Sequence, residues 1–119
     1  MAYKVLNDDI TFANTNSENP KVCFLHGWGM SGKDFNKIET SFDFITIDIP
    51  GFGKSVPFTK SFSPKKYAEY LNNLIPESVE IIVGHSFGGR IAVHMSQLRD
   101  YKKLVLIASP LIMKKNKKN

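Results

Sequence analysis

The chain has 119 residues, 42% of them hydrophobic and 23% charged, which is enough for one small domain with a modest core. Its formal net charge is +5, but four of the lysines lie within the last six residues. The sequence therefore predicts a basic, disordered tail over 114–119 and no nucleic-acid-binding surface on the fold. The longest apolar run, 104–113, is broken by Ser109 and Pro110 and is too short for a membrane helix of ~20 residues. Cys23 is a single cysteine in an apolar run, so we expect a buried thiol in a cytoplasmic protein.

Short apolar runs in the first half of the chain predict a β-hairpin followed by buried strands. The hairpin strands are expected at 3–6 and 10–13, with a polar loop over 14–20. Residues 21–26 show almost no polar alternation, which is typical of a parallel strand covered on both faces. The elements expected next are a helix over 31–38 and a strand over 44–48.

The second half of the chain alternates helices with strands. Ser63-Pro64 marks a helix start, because serine is a favoured N-cap and proline suits the first helical position. Apolar residues at helical spacing carry this helix to Ile75, and Pro76 ends it. We expect a strand over 79–83, a helix from just after Ser86 to Leu98, and a last strand over 104–108. This alternation predicts an α/β fold, a mostly parallel sheet with helices on both faces.

The motif Gly84-His85-Ser86-Phe87-Gly88 lies between the strand at 79–83 and the following helix. Gly-x-Ser-x-Gly is typical of a nucleophile elbow, a sharp strand-to-helix turn that lifts a serine hydroxyl out of the sheet edge. Glycine is needed at 84 and 88 because a β-carbon there would strike the neighbouring strand or helix. Ser86 is thus the candidate nucleophile; the alternative is a glycine-rich turn with a solvent-exposed serine.

Acyl transfer also needs donors for the developing oxyanion. The backbone N–H of Phe87, at the start of the helix, is one candidate. The second is the N–H of Trp28 in His26-Gly27-Trp28-Gly29, which directly follows a buried strand. We expect His26 to hydrogen-bond the loop rather than act as a base. The Trp28 side chain either walls an acyl pocket or covers the core, and the sequence leaves both open.

Gly53-Lys54-Ser55 does not form a phosphate-binding loop. Such a loop needs a glycine five places before Gly53, where this chain has Asp48. Pro57 also prevents a helix straight after Ser55. We therefore predict no nucleotide cofactor, and no metal site is predicted either.

Four motifs together resemble the N-terminal half of an α/β-hydrolase. They are His26-Gly27-Trp28-Gly29, Asp48-Ile49-Pro50-Gly51-Phe52-Gly53-Lys54-Ser55, Gly84-His85-Ser86-Phe87-Gly88-Gly89 and Leu104-Val105-Leu106-Ile107-Ala108-Ser109-Pro110. The resemblance covers residues 1–113 and implies a serine hydrolase that cleaves a carboxylic ester through an acyl-enzyme. Within the family, the first two motifs are most similar to the carboxylesterases that cleave the methyl ester of pimeloyl-acyl-carrier protein. The implied substrate is a small-molecule or acyl-carrier ester.

The acid and the base of a catalytic triad are missing from the sequence. The family places them after the serine, where the chain offers only Asp100 and His94. His94 lies about 12 Å further along the helix by helical rise. Asp100 is expected at the opposite end of the sheet. We therefore expect a truncated or split-gene hydrolase that ends after the strand at 104–108.

Such a chain is expected to have little esterase activity by itself and to depend on a complementing C-terminal fragment. The strand at 104–108 would form an exposed, aggregation-prone edge. Two alternatives remain open. The chain is a catalytically inactive fragment or pseudoenzyme of the same fold, or its full-length parent is an acyltransferase or a C–C hydrolase.

Overall fold

The computed structural model describes residues 2–8, 11–26, 43–49 and 63–108, and only the backbone of 2–4. These residues form one six-stranded sheet and two helices. In chain order the elements are β1 (Ala2–Val5), β2 (Phe12–Thr15), β3 (Val22–Leu25), β4 (Phe44–Ile47), α1 (Pro64–Asn72), β5 (Ile81–His85), α2 (Phe87–Leu98) and β6 (Lys103–Ile107). Neither helix in this part of the chain has the length and apolar character that crossing a bilayer requires.

The sheet has the strand order β1-β2-β4-β3-β5-β6. The strands β4, β3, β5 and β6 run parallel, while the β1–β2 hairpin is attached to β4 in antiparallel fashion. The predicted α/β class with a mostly parallel sheet is therefore confirmed. All four residues of β3 and of β4 are buried, as expected for central parallel strands.

The main core lies between the sheet and the two helices. Alternate strand residues such as Cys23 and Leu25 face this core, which also contains the apolar faces of α1 and α2. Cys23 is buried, as expected, and burial raises the pKa of its thiol to about 12. The alternating residues on the opposite face form a smaller cluster that includes Val22 and Phe24. The helix expected over 31–38 and the tail over 114–119 lie outside the described residues.

The predicted positions of α1 and β3 agree well with the structure. The ends of other elements differ from the prediction because pairing with neighbouring strands determines them. Ser63 caps α1, its side chain accepting the Lys66 N–H at 3.2 Å, but the helix ends at Asn72 rather than at Ile75. Strand β2 extends into the predicted loop, because Asn14 and Thr15 pair with β4. Strands are fixed by their neighbours as well as by their own residues, so such shifts are expected.

Strand β5 begins and ends two residues later than predicted. Val79 belongs to a turn, where its N–H donates to the Pro76 carbonyl at 3.2 Å. At the other end Gly84 and His85 continue the ladder with Leu106 and Ile107 of β6. Consequently β5 reaches the residue directly before Ser86.

Candidate active site

The parallel strands end together at one edge of the sheet, called here the carboxyl-end edge. It is formed by the ends of β3, β4, β5 and β6 and the residues that follow them. Leu25 of β3 is in register with Gly84 of β5. The segment that begins at His26 therefore starts beside the turn at Ser86. Ligands of open α/β sheets bind at such an edge.

Ser86 has a backbone conformation that is rare for a residue with a side chain. Its φ is 56° and its ψ is −116°, between the end of β5 and the start of α2. The Ser86 carbonyl accepts the N–H groups of Gly89 at 2.9 Å and Arg90 at 3.3 Å, which starts the helix. Its side chain makes no capping hydrogen bond to α2. The hydroxyl is thus not used as a helix cap, the usual role of a serine at this position.

The two glycines of the motif allow backbones to approach closely. A β-carbon on Gly84 would lie 2.6 Å from the Gly88 carbonyl oxygen, at the start of α2. One on Gly88 would lie 2.3 Å from the His26 carbonyl oxygen and 2.4 Å from that of Leu25. The steric prediction made for both glycines is confirmed. Gly88 also places the first turn of α2 directly against the segment leading out of β3.

The neighbouring strand β6 supports the turn from the other side. The Ser86 N–H donates to the Ile107 carbonyl at 3.1 Å. The next residue, Ala108, has a φ of 49°, a second left-handed conformation without glycine. His85 of β5 pairs with Ile107 of β6. The two residues with positive φ, Ser86 and Ala108, therefore directly follow paired positions of neighbouring strands. Nothing in the sequence pointed to Ala108, because alanine has no preference for this conformation.

His26 is a structural residue of this edge. Its imidazole is fully buried, and its Nε2 accepts the Ile49 N–H at 2.9 Å, just after β4. An accepting Nε2 carries no proton, so the neutral ring holds its proton on Nδ1. As expected, His26 hydrogen-bonds a neighbouring segment and is not placed as a base. It fixes the end of β3 to the end of β4.

The other candidates for a triad lie away from Ser86. His94 is half-buried, two turns further along α2. Asp100 is exposed and precedes β6, at the edge opposite Ser86. Among the residues that the structure describes, no cluster of three or more His, Cys, Asp or Glu side chains could hold a metal ion. His94 and Asp100, which the sequence had already excluded as triad members, therefore both lie away from Ser86 in the structure.

Phe87 is the first residue of α2, where its N–H lies beside the candidate nucleophile. Its ring packs edge-on against Tyr67 of α1, with ring centroids 5.9 Å apart at 89°. Tyr67 was predicted only as part of an apolar helix face, and helical spacing gives no sign of this second role. Trp28, the other expected oxyanion donor, lies outside the described residues, as do Lys54 and Ser55.

Comparisons with known proteins agree with this geometry. Residues 24–115 match the α/β hydrolase family model. Proteins named pimeloyl-[acyl-carrier protein] methyl ester esterase are 35% identical over 105 residues in Pseudoalteromonas atlantica and 36% identical over 101 residues in Vibrio vulnificus. These matches cover 82% and 80% of this chain, but 40% and 39% of the relatives. The chain therefore spans about two-fifths of their length.

A solved structure shows the same fold. An esterase of Mycobacterium tuberculosis matches with a TM-score of 0.78 at 24% identity, over 88% of this chain and 41% of the esterase. The predicted resemblance is confirmed: this chain belongs to the α/β hydrolase family, and the two relatives described above are named esterases.

Proposed function

We propose that the chain carries the nucleophile of a serine hydrolase acting on carboxylic esters, with Ser86 as that nucleophile. The observation that carries the proposal is the strained backbone of Ser86 between β5 and α2. Left-handed conformations of residues other than glycine persist only where the surroundings enforce them, and they concentrate at functional sites. Here Gly84 and Gly88 permit the turn, and the Ile107 carbonyl holds it.

The proposed chemistry is acyl transfer through a covalent intermediate. Ser86 Oγ attacks the ester carbonyl carbon and loses its proton to a base, while the carbonyl electrons move onto oxygen. The N–H groups of Phe87 and Trp28 stabilise that oxyanion. The tetrahedral intermediate formed in this way then re-forms its carbonyl and expels the alcohol, which takes a proton from the base. An acyl-serine remains. Water then repeats the sequence and releases the acid.

The base and its acid are proposed to come from a further segment or a second, complementing chain. The sequence holds three histidines, and two of them are accounted for: His26 is bound to Ile49, and His94 lies two turns along α2. The third, His85, directly precedes the nucleophile in β5, whereas the family pattern places the base after the acid. A cytoplasmic location is part of this proposal.

The proposed substrate class is a carboxylic ester presented on an acyl carrier. The supporting observation is the name shared by the relatives from Pseudoalteromonas atlantica and Vibrio vulnificus, which describes a methyl ester on an acyl-carrier protein. A small free ester is the simpler member of the same class. An acyltransferase or C–C hydrolase would use the same nucleophile and oxyanion donors with a different second substrate.

A covalent serine probe tests the nucleophile. The full chain is treated with a fluorophosphonate, alone and mixed with the C-terminal part of the Pseudoalteromonas relative that this chain does not match. Labelling at Ser86, mapped by peptide mass spectrometry, is expected to increase on mixing, together with hydrolysis of a short p-nitrophenyl ester. Ser86→Ala should abolish both, and Ser96→Ala, the same change within α2, should leave both unchanged.

The rival proposal is an inactive fragment or pseudoenzyme of this fold. One observation favours it. Among the described residues, the histidines near Ser86 are His85, which adjoins it in the chain, and His26, whose imidazole is bound to the Ile49 N–H. Folded protein that is never labelled at Ser86, alone or mixed, would support this rival. Turnover by the chain alone that Ser86→Ala abolishes would contradict the expectation that it needs a complementing segment.

A further inference from the structure

Strand β6 is the last strand of the described sheet and pairs on one side only. Its neighbour is β5, in the strand order β1-β2-β4-β3-β5-β6. No strand within residues 2–8, 11–26, 43–49 and 63–108 pairs with the other side of β6, called here the open side. Unpaired backbone N–H and C=O groups along such a side can bind a strand of another chain.

The backbone groups of Leu104 and Leu106 face the open side. At one end of β6 the Ile107 carbonyl accepts the Ser86 N–H at 3.1 Å, and at the other end the Lys103 N–H donates at 3.3 Å to the residue before β5. Lys103 and Ile107 thus direct their backbone groups towards β5. Since successive residues of a strand direct these groups to alternate sides, Leu104 and Leu106 direct theirs away from β5.

The side chains of β6 are mostly apolar and only partly covered. Leu104 and Leu106 pack against the main core on one face of the sheet, and Val105 packs against the smaller cluster on the other face. All three are half-buried. Ile107 is 43% exposed, and Leu98, in the helix that leads into β6, is 52% exposed. Apolar surface on both faces beside unpaired backbone groups is typical of an interface.

The other outer strand, β1, has a protective charge that β6 lacks. Lys4 lies inside β1, and a lysine within an outer strand discourages pairing with another chain. The charged residue of β6 is Lys103, at its first position, which leaves the middle of the strand apolar. Pairing with another chain is therefore more favourable at β6 than at β1.

The sequence of β6 is complementary to itself when two copies run antiparallel. Leu104-Val105-Leu106 reads the same in both directions. Pairing centred on Val105 places Leu104 opposite Leu106 of the second copy, where their outward backbone groups exchange N–H···O=C bonds. Val105 then lies opposite Val105 of the second copy. Apolar side chains thus meet apolar side chains on both faces of the sheet.

The position of charge favours the same arrangement. In this register Lys103 lies opposite Ile107 of the second copy, and the aliphatic stem of the lysine can cover that exposed side chain. The two Lys103 residues lie at opposite ends of the strand pair, about 14 Å apart at the usual rise of a strand, so they repel each other weakly. Parallel pairing in register would instead place the two lysines side by side.

We propose that β6 is the interface of a symmetric dimer, in which a second copy of this chain pairs antiparallel along the open side. The sheet then continues from one copy into the other, and the main cores of the two copies meet across the β6 pair. Antiparallel pairing places the carboxyl-end edge of one copy beside the amino-end edge of the other, where the parallel strands begin. The two Ser86 residues face opposite directions, so the dimer does not depend on the proposed function.

The mass of the full chain in solution tests the dimer. Light scattering after size exclusion should give roughly twice the 13.4 kDa of one chain. Ile107→Lys places a lysine opposite Lys103 of the second copy, and the dissociation constant measured by sedimentation should rise by about tenfold. Adding Lys103→Glu to that variant should restore most of the affinity. Val5→Lys, at a residue of β1 that is 45% exposed, is the matched control and should leave the mass unchanged.

A disulfide at the centre of the interface tests the register. Val105→Cys opposes itself across a pair without hydrogen bonds, where Cα atoms lie about 4.5 Å apart, within the range that a disulfide spans. Mild oxidation with diamide should convert most of this variant to a covalent dimer on a non-reducing gel. Val5→Cys, at a more exposed position, should remain largely monomeric, and the buried Cys23 should not compete.

The same measurements can overturn the proposal. A monomeric mass for the folded chain, a dimer that Ile107→Lys leaves unchanged, or equal oxidation of the two cysteine variants would each do so. A mass that rises without limit would contradict the two-fold arrangement. A chain that is monomeric alone but binds the C-terminal part of the Pseudoalteromonas relative would assign the open side to that segment instead.

Ser86→Ala separates this proposal from the proposed function. The variant should dimerise as the unaltered chain does, so a failure of the nucleophile assignment is seen in probe labelling and not in the mass. Circular dichroism verifies that each variant is folded.

Discussion

The two edges of the parallel sheet are stabilised in different ways. At the carboxyl-end edge the backbone is strained: Ser86 and Ala108 both have positive φ, and Gly88 touches the carbonyl of His26. The His26–Ile49 hydrogen bond also joins elements there, whereas at the amino-end edge a larger network of side-chain hydrogen bonds around Arg99 does so. We infer that strain in the backbone of the carboxyl-end edge serves to position the Ser86 hydroxyl. The amino-end edge contributes stability instead.

Arg99 is at the centre of the amino-end edge. Its guanidinium donates to the carbonyls of Asn72 at 3.2 Å and Pro76 at 3.1 Å, and it lies 4.9 Å from the ring centroid of Tyr101. The Tyr101 hydroxyl donates to Asn72 Oδ1, and burial raises the pKa of Tyr101. This network joins the end of α1, the end of α2 and the start of β6 through side chains.

The largest effect is expected from Gly88→Ala, at the carboxyl-end edge. The new β-carbon would lie 2.3 Å from the His26 carbonyl oxygen, and neither backbone can move without displacing β3 or α2. We expect the free energy of unfolding to fall by about 3 kcal/mol or more in urea denaturation. The control Gln97→Ala changes an exposed residue of the same helix. An unchanged midpoint for Gly88→Ala would contradict the close packing of α2 on β3.

The next largest effect is expected at the amino-end edge. Arg99→Ala removes two hydrogen bonds and the contact with Tyr101, and the half-buried site should lose about 2 kcal/mol of stability. Lys102→Ala is the matched control, because its side chain is 75% exposed and its ion pair with Glu80 should contribute less than about 0.5 kcal/mol. Equal losses for both variants would mean that this edge is not held by the Arg99 network.

Local sequence signals predicted the turns at the carboxyl-end edge better than the side-chain contacts at the amino-end edge. The cap of α1 at Ser63 and the elbow at Ser86 depend on residues that are neighbours in the chain, so their patterns could be read directly. Arg99 contacts residues 23 to 27 positions away, and no local pattern encodes such pairings. Ala108 was missed because its conformation is imposed by the fold. Trp28 remains a prediction.

A smaller effect of opposite sign is expected from Ser86→Gly. Glycine adopts positive φ without steric cost, so releasing strain of about 1–3 kcal/mol should outweigh the extra freedom of the unfolded chain, about 0.5–1 kcal/mol. We expect a net gain of about 1 kcal/mol, measured by urea denaturation, together with loss of probe labelling. Ser86→Ala should lose labelling without this gain.

Ser96→Gly is the matched control for that measurement. Ser96 lies within α2, where its hydroxyl donates to the Val93 carbonyl at 2.7 Å, so glycine should destabilise the helix by about 1 kcal/mol. A loss of stability for Ser86→Gly of the same size would show that the turn at Ser86 is not strained, and the main structural support for the nucleophile would disappear.

The smallest expected effect separates strain of the nucleophile from strain of the whole carboxyl-end edge. Ala108 has a φ of 49° and follows β6 beside Ser86. A left-handed residue costs about 1–2 kcal/mol, so Ala108→Gly should stabilise the protein by roughly 0.5 kcal/mol after the entropy of glycine is subtracted. Ala92→Gly, buried in α2, should instead lose about 1 kcal/mol. If Ala108→Gly gains as much as Ser86→Gly, strain belongs to the edge as a whole. If the gain is smaller, the greater strain lies at Ser86, which is the result that the proposed role of Ser86 as nucleophile predicts.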